Sequence, residues 1–507
     1  MDQSASAPGS ADPRRPAIHA LRVAQEAATH VPAYGRFLRQ HGYDVRRLRS
    51  LDDFATLPIM DRASYLSCYS LADRCLGGEV TRAYTVVQSS GTSGAATSWP
   101  RLAEQVPANV AGNRALLQEH FQIEQRRTLL VVAAAMGPWS YATGMIQAAQ
   151  HIFTEPGIRG TVVTPGLDQE AALRFVEELS PHYDQTVLVS YPALVTALLE
   201  AGVQRGIAWP ALHVSVQTGG EAATEVQRAR ILEYLGKDPE RLEGFVNGFG
   251  ASDAGGVVAY ETRLCLLIRR LCLRTPALAE ALFGTSVLPS VNQYNPFRHF
   301  MEVEQGEVLL TIEGAVPLIR YNTHDRGGLI PFGTMVSQCR AHGYSLAEEL
   351  RRRGWGPECI RPLPFLYVHG RSDAVILHGG NLYLEEVAQV LEQPGLRETS
   401  SGNFELSAAA EADGQVTIRL TAELRAGQAA TDELQAGYSR LVLEELLRLS
   451  PRFRAAYEAS RGRARVEVTL VPFGALERRG TKQQRVVLPH EAPRGDGGPS
   501  PGDADGR

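Results

Sequence analysis

Lysine is almost missing from this chain. Of 51 basic Lys and Arg residues only Lys237 and Lys482 are lysine, so 49 are arginine. A bias that strong acts on the whole gene, and arginine therefore stands wherever arginine would serve. The two remaining lysines stand out, because lysine is a compact point charge and arginine a planar fork. Lys237 lies in LGKDPERLEG, a polar turn after a helix, and is expected to be solvated. Cysteine is also scarce. Cys68, Cys75, Cys265, Cys272, Cys339 and Cys359 contain no CxxC pair, which excludes the clustered thiolates of a structural zinc site. Cys265 and Cys272 are two helical turns apart and read as core packing on one face. No apolar run approaches the roughly 20 residues that span a bilayer, and MDQSASAPGSADPRRP lacks the apolar stretch of a secretory signal. Excess charge is missing too. A net charge of −5 calls for neither nucleic acid nor an anionic membrane as partner. The expectation is a cytoplasmic, reduced protein acting on small molecules.

What is present is core-forming sequence. Hydrophobic residues make up 44% of 507 residues, which excludes global disorder. At roughly 150 residues per domain the length suggests about three units, or fewer if a large α/β fold merges two. Residues 1–16 and 489–507, rich in Pro, Gly, Ser and Asp, read as disordered tails. From Pro16 to about His41 the apolar spacing at Leu21, Ala24, Ala28 and Val31 predicts a helix ending near Pro32. TLLVVAAA (128–135), GTVVTP (160–165), QTVLVSYP (185–192) and LHVSVQTGG (212–220) read as buried strands separated by helical segments. That alternation predicts a parallel sheet with helices on both faces.

After about residue 300 the pattern changes. EVEQGEVLLTIEG reads as a hairpin turning at Gln305-Gly306. FLYVHGRSDAVILHGGNLYLEEVAQVLEQ gives two strands around Gly379-Gly380 and a helix. The strand pair in FELSAAAEADGQVTIRLTAEL, a helix over 431–449 and the strand VEVTLVPF follow. The predicted fold class is α/β: a large N-terminal domain (17–369) of helix-covered β-sheets and a small, separate C-terminal α+β domain (370–488), the part that the resemblance given below implies is mobile.

Five segments carry chemistry. VVQSSGTSGAATSWPR (86–101) runs from a strand into a Ser/Thr/Gly loop whose backbone N–H groups can approach an anion closely. It lacks the GK[ST] of a Walker A loop. GGE at 219–221 follows a strand at the end where α/β sheets bind ligands. NGFGASDAGG (247–256) ends with a hydroxyl and a carboxylate, Ser252 and Asp253. RYNTHDRGG (320–328) reads as a turn that offers Asp325 to vicinal hydroxyls, and GRSD (370–373) adds an arginine at the domain boundary. Each alone is a commonplace turn.

In this order and spacing the segments resemble the adenylate-forming enzymes, the acyl- and aryl-CoA ligase superfamily, and within it the phenylacetate–CoA ligase-like branch. The resemblance runs from about residue 17 to 488. It includes VPAYGRFLRQHGYDVRRLRSLDDFATLPIMDRASY as an entry region and GRSDAVILHGGNLYLEEV as a hinge and CoA-side loop. It implies an enzyme that attacks the α-phosphate of ATP with a carboxylate, releases pyrophosphate, and passes the acyl group of the adenylate to CoA. Positioning and electrostatics carry such catalysis.

The resemblance also implies roles. Ser89, Ser90, Gly91, Thr92, Ser93 and Gly94 would cradle the β- and γ-phosphates, and Gly219, Gly220 and Glu221 would line the adenine and acyl pocket. Phe249 and Gly250 would lie beside adenine, Ser252 near the α-phosphate, and Asp253 would be the Mg²⁺ carboxylate. Asp325 would bind the ribose and Arg371 the ribose–phosphate side. Asp373 would be the hinge, and His378, Gly379 and Gly380 the CoA-side loop. Lys482 would bridge carboxylate and α-phosphate. Trp139, Tyr141 and Gly248 fall on the substrate side and suggest an aryl or short acyl acid. The implied cofactors are ATP and Mg²⁺, with CoA as co-substrate.

Four departures bear on these roles. The metal carboxylate is Asp253 rather than the commoner Glu, which moves the charge about one bond inward. Ala95 and Ala96 replace the lysine common after the loop glycines, with Arg101 further on. His378 stands where the branch often has arginine. The apolar stretch 260–299 replaces a shorter, more polar connection, which draws the acyl pocket and the acceptor into question. Two alternatives follow: adenylation with a carrier-protein thiol, an amine or another small nucleophile as acceptor, and a binding homologue that has lost catalysis.

Overall fold

The computed structural model describes the chain except for residues 1–13, 90–96, 138–139, 221, 286–287, 371–373, 378–379, 411–415, 451–452, 455–456, 458–464, 477, 480–481, 484–485 and 488–507. The described residues form two compact units. The larger contains residues 1–372 together with 478–483, and the smaller contains 373–477 together with 484–507. The sequence reading drew a single cut at 369/370; the contacts return the short segment 478–483 to the larger unit. Both expected tails lie almost wholly outside the described residues, but Arg15 and Pro16 already belong to the first helix.

In the larger unit the helix expected over 16–41 is two helices, Arg15–His30 and Pro32–Gln40. Val31 is extended between them, and Pro32 takes the first position of the second helix, where its missing N–H is harmless. Strands β1 (Thr85–Gln88) and β2 (Ser98–Arg101) form an antiparallel ribbon of their own.

The main sheet has eleven strands. Its first half is β3 (Thr128–Val132), β4 (Gly160–Val163), β5 (Gln185–Ser190), β6 (Val214–Gly219) and β7 (Phe245–Ala251), all parallel in the order β4-β3-β5-β6-β7. β3 and β5 are buried along their whole length, as strands covered on both faces must be. One face packs Leu129, Val131 and Leu188 under helices Gln169–Leu179 and Pro192–Gln204. The other packs Leu130, Val187 and Val189 under helices Val106–Phe121 and Ser140–Phe153.

Direction reverses at β8 (Gly256–Tyr260), antiparallel to β7. β9 (Ser290–Tyr294), β10 (Phe300–Glu304), β11 (Glu307–Ile312), β12 (Leu318–Ile330) and β13 (Phe365–Gly370) complete the sheet in the order β10-β11-β12-β13-β9-β8. The hairpin turn between β10 and β11 is where the sequence put it, with Gln305 and Gly306 both left-handed at φ 53° and 81°. RYNTHDRGG is a different case. It was expected to be a turn and instead lies inside the 13-residue strand β12, whose register is broken by irregularities and whose His324 is left-handed.

Within 260–299 the helices Arg263–Arg274 and Pro276–Phe283 pack Leu264, Ile268, Leu271 and Leu278 against Met335, Cys339 and Leu350 of helices Phe332–Ala341 and Leu346–Arg352. Tyr260, at the start of the stretch, packs instead on the cluster of Tyr141 and Tyr191. Cys265 and Cys272 of helix Arg263–Arg274 are free and buried, as packing residues.

An ion network ties these helices to the sheet. Arg228 Nη2 reaches both oxygens of Glu261 at 2.6 Å, and Arg269 meets Glu225 Oε1 at 2.6 Å. Asn247 N donates to Glu261 Oε2 at 2.8 Å. Burial alone would raise the Glu225 carboxyl, but Arg269, Arg228 and Arg270 hold it at about 2.

The smaller unit contains β14 (Ala374–Leu377) and β15 (Gly380–Tyr383) as a hairpin, followed by helix Leu384–Leu391. β16 (Ser400–Ala410), β17 (Val416–Leu424), β18 (Arg465–Val471) and β21 (Val486–Val487) form a sheet in the order β18-β17-β16-β21, with helix Asp432–Leu449 between β17 and β18. In the segment that belongs to the larger unit, β19 (Arg478–Arg479) and β20 (Lys482–Gln483) pair with each other. No helix among the described residues is long and apolar enough to cross a membrane.

Candidate active site

The C-terminal ends of β5, β6 and β7 meet beside the point where the sheet changes direction, the place where open α/β sheets hold ligands. β7 continues into a turn, Ser252–Gly255, that enters β8. This turn is the centre of the candidate site. Ser252 Oγ lies 2.8 Å from Ser140 Oγ, at the start of helix Ser140–Phe153, and 3.3 Å from the Gln88 carbonyl oxygen that ends β1. Arg101, the last residue of β2, donates from Nη2 to the Ser252 carbonyl. Asp253 Oδ2 accepts from the Tyr321 hydroxyl of β12 at 2.8 Å. Residues far apart in sequence thus close on one turn.

The β1–β2 ribbon brings the Ser/Gly segment to that turn. Ser89 N donates to the Thr97 carbonyl at 3.0 Å, and Thr97 N donates to Ser89 Oγ at 3.1 Å, which closes the stem. Ser90, Gly91, Thr92, Ser93 and Gly94 lie outside the described residues. Arg101 emerges at the foot of the stem. Burial pulls its guanidinium down to about 10, with Asp253 opposing that shift, so it stays a cation at neutral pH. Among the described residues, the Ser252 carbonyl is the acceptor of that guanidinium.

His299 supports the turn from β9's far side of the chain. Its ring hydrogen-bonds the Ala254 backbone, while burial and then the charge of Arg298 pull its pKa down to about 4. The ring is neutral at physiological pH. A second ring nitrogen, Nδ1, is buried without a hydrogen-bond partner among the described residues.

Tyr141, expected on the substrate side, lies in the first turn of helix Ser140–Phe153. Its hydroxyl is 3.4 Å from the Ser190 carbonyl and its ring 5.7 Å from that of Tyr191. A Cβ on Gly219 would come within 2.8 Å of the Tyr141 ring, and a Cβ on Gly250 would strike the Gly256 carbonyl oxygen. Close approach therefore accounts for glycine at both positions. Gly220 is left-handed at φ 80°, and Gly248 faces the Thr218 and Ala259 carbonyls. Phe249 is half-buried against the cluster that holds Trp99, Val258 and Tyr321.

Asp325 is buried on β12, four residues beyond Tyr321, and its N–H donates to Thr323 Oγ1 at 3.3 Å. Lys482 is on β20, paired in register with Arg479, in the segment that clusters with the larger unit. Trp139, Glu221, Arg371, Asp373, His378 and Gly379 lie outside the described residues, and Gly380 opens β15. Lys237 departs from its expectation. It is half-buried, Nζ donates to Ser215 Oγ at 2.8 Å, and burial lowers its pKa to about 8.

Sequence reasoning missed Ser140, Tyr321 and His299 as parts of the site. Ser140 sits between the Trp139 and Tyr141 that were singled out, so its neighbourhood was the available signal. Tyr321 lies inside the RYNTHDRGG segment that was singled out for Asp325, although its partner is 68 residues away; His299 gave no signal, its partner lying 45 residues away in the chain.

No protein-family model matches the sequence, and no curated protein matches it. Solved structures do. A 2-hydroxyisobutyryl-CoA ligase in the postadenylation state, in complex with 2-HIB-AMP, is 15% identical and aligns with a TM-score of 0.65 over 96% of this chain and 94% of the ligase. The same ligase with 2-HIB-AMP and CoA in the thioesterification state is 16% identical, with a TM-score of 0.53 over 94% and 89%. An acyl acid amido synthetase in complex with 2,4-DB is 11% identical, with a TM-score of 0.55 over 94% and 95%. The chain has the fold of the adenylate-forming enzymes.

Proposed function

We propose that this protein is a cytoplasmic, AMP-forming acid–CoA ligase of the phenylacetate–CoA ligase-like branch. In the first half-reaction a carboxylate oxygen bonds to the α-phosphorus of ATP and pyrophosphate leaves. In the second, the CoA sulfur bonds to the acyl carbon, AMP leaves, and the thiol proton is released. The observation that carries the reading is the closure of Ser252, Ser140, Arg101 and Asp253 on one turn at the foot of the Ser/Gly ribbon. Ser252 and Ser140 supply hydroxyls near the reacting phosphate. Arg101 supplies a cation that the loop itself lacks. Lys482 would sit between the two oxyanions, where a guanidinium fork is too broad.

Mg²⁺ prefers oxygen ligands and keeps several waters and phosphate oxygens, so a single protein carboxylate suits it. Asp253 is such a carboxylate, already oriented by Tyr321. When bound, the ion neutralises charge on the phosphates.

A second acceptor class has support of its own. The likeness to an acyl acid amido synthetase covers as much of this chain as the likeness to the CoA ligase in its thioesterification state does, which keeps an amine acceptor in view. His378 in place of the usual arginine points the same way. The test is pyrophosphate release from Mg·ATP with aryl and aliphatic acids, with and without CoA. Turnover that requires CoA for a subset of acids is the expected result; release indifferent to CoA moves the proposal to another acceptor. In that assay Lys482→Arg should lose adenylation by about 10²-fold or more, the size of effect that goes with a lost transition-state contact. Intact pyrophosphate release in this variant would remove Lys482 from the reaction.

A further inference from the structure

Gln217 is a polar side chain in an apolar place. It lies in the middle of β6, is 0% exposed, and neither Oε1 nor Nε2 of its amide has a partner among the described residues. A carboxamide offers two donors and an acceptor oxygen, and leaving all of them unanswered in a core is costly. The register pairs Gln217 with Val189 of β5 and Val246 of β7. Both valines are fully buried in the cluster that holds Met145 and Tyr191 and on which Tyr141 packs. Methionine has nearly the same shape and would suit that cluster better.

Its position relative to the candidate site gives the amide a use. Alternation along a strand puts Gln217 on the same face of the sheet as Gly219, two residues on. That is the face on which the Tyr141 ring lies, since a Cβ on Gly219 would meet it at 2.8 Å. The amide therefore lies about 6–7 Å along the strand from the Gly219–Tyr141 contact, deeper under the helix Ser140–Phe153. That separation is about the length of a substituted benzene ring, or of a short alkyl chain, anchored by its carboxylate at the strand end.

We infer that Gln217 is a specificity-determining residue of the acid pocket, and that the acid carries a hydrogen-bonding substituent, a hydroxyl, amino or carbonyl group, at the end remote from its carboxylate. The inference rests on the ligase reading for the orientation of the acid. A site with a buried hydrogen-bonding group rejects an isostere that lacks the partner far more strongly than an apolar pocket rejects an added hydroxyl. The amide can donate to a carbonyl or accept from a hydroxyl or amine, which is why the class is polar substituent rather than one functional group.

The test uses pairs of acids matched in size: para-hydroxybenzoate against para-methylbenzoate, para-aminobenzoate against the same methyl analogue, and an ω-hydroxy acid against the alkanoate one carbon longer. Pyrophosphate release is measured for the full-length protein and for Gln217→Met, with Gln217→Leu as a second variant. Thermal shift with each acid in the absence of ATP is read in parallel. The wild type should favour the polar member of at least one pair by roughly 10- to 100-fold in kcat/KM. Gln217→Met should abolish or reverse that preference while raising the melting temperature of the free protein. A change that is equal for both members of every pair, or a wild-type preference for the methyl analogue throughout, overturns the inference. Silence in pyrophosphate release combined with a selective thermal shift would sink the ligase reading and leave the assignment of Gln217 standing. No selective shift and no release would overturn both.

Discussion

Strand β7 passes through two charged neighbourhoods within a few residues, and they are built on opposite plans. At Asn247 the strand meets Glu261, which answers Arg228 with both oxygens and the Asn247 N–H as well. Arg269 and Glu225 close the set, and all four charged side chains are buried. Five residues on, at Ser252–Asp253, the side chains are half-buried and each has one strong partner. Among the described residues Arg101 gives a bond to one carbonyl. Charge paired within the buried network fixes the frame; under the proposed function, the half-buried charge set on that frame meets the ligand.

The comparison can be broken at either end. The largest effect is expected for Glu261→Ala, which takes from Arg228 its two 2.6 Å bonds, leaves it only the Glu225 carboxylate at 3.3 Å, and removes the acceptor of the Asn247 N–H. Losing one partner of a buried ion pair costs about 3–5 kcal/mol, so the denaturation midpoint should fall sharply. A loss below about 1 kcal/mol would mean that the network is not part of the frame. Asp253→Asn comes next. Pyrophosphate release should drop by about 10²–10³-fold, worth about 2.7–4 kcal/mol, with little change in melting temperature. A matching collapse of stability would class Asp253 with Glu261 and erase the contrast.

The smallest effect sharpens the comparison through pH. His299 has a folded pKa of about 4 against about 6.5 for a free imidazole, so the unfolded chain binds more protons between those values. The stability tied to its neutral ring is complete above about pH 6.5 and is lost as pH falls towards 4. It amounts to no more than about 3 kcal/mol, less where water screens the half-buried ring. His299→Gln should flatten the stability curve over that window. An unchanged slope would assign the acid sensitivity to other groups.

Much of the frame was legible in the sequence because burial leaves a plain trace. Strands β3 and β5 are covered on both faces and so carry the apolar runs LLVV and VLV, while β6 was visible through its valines and the glycines that end it. The β10–β11 hairpin announced itself through Gln305-Gly306. β12 did not, because RYNTHDRGG is polar and its irregular pairing masks the two-residue alternation that marks a strand. The helices of 260–299 were visible as apolar sequence, but not the partners they pack on, which lie between residues 332 and 352.

The site divides in the same way. Ser252, Asp253, Gly219 and Tyr141 were found through local sequence and come together in space. Ser140 and Tyr321 are joined to them by contacts across 112 and 68 residues, which no window along the chain displays. Lys237 was misread for the same reason, since a polar turn says nothing of Ser215 on a neighbouring strand 22 residues away.

That last contact makes the protein its own chemical ruler. An amine-selective label finds just two lysine side chains in a 55.2 kDa chain. Lys237 is held at Ser215 and is half deprotonated near pH 8, so it takes up label at a pH where an ordinary lysine is still almost wholly charged. Its labelling rate can serve as an internal standard, and the ratio of the two labelled masses reports directly on what shields Lys482 as nucleotide and acid are added.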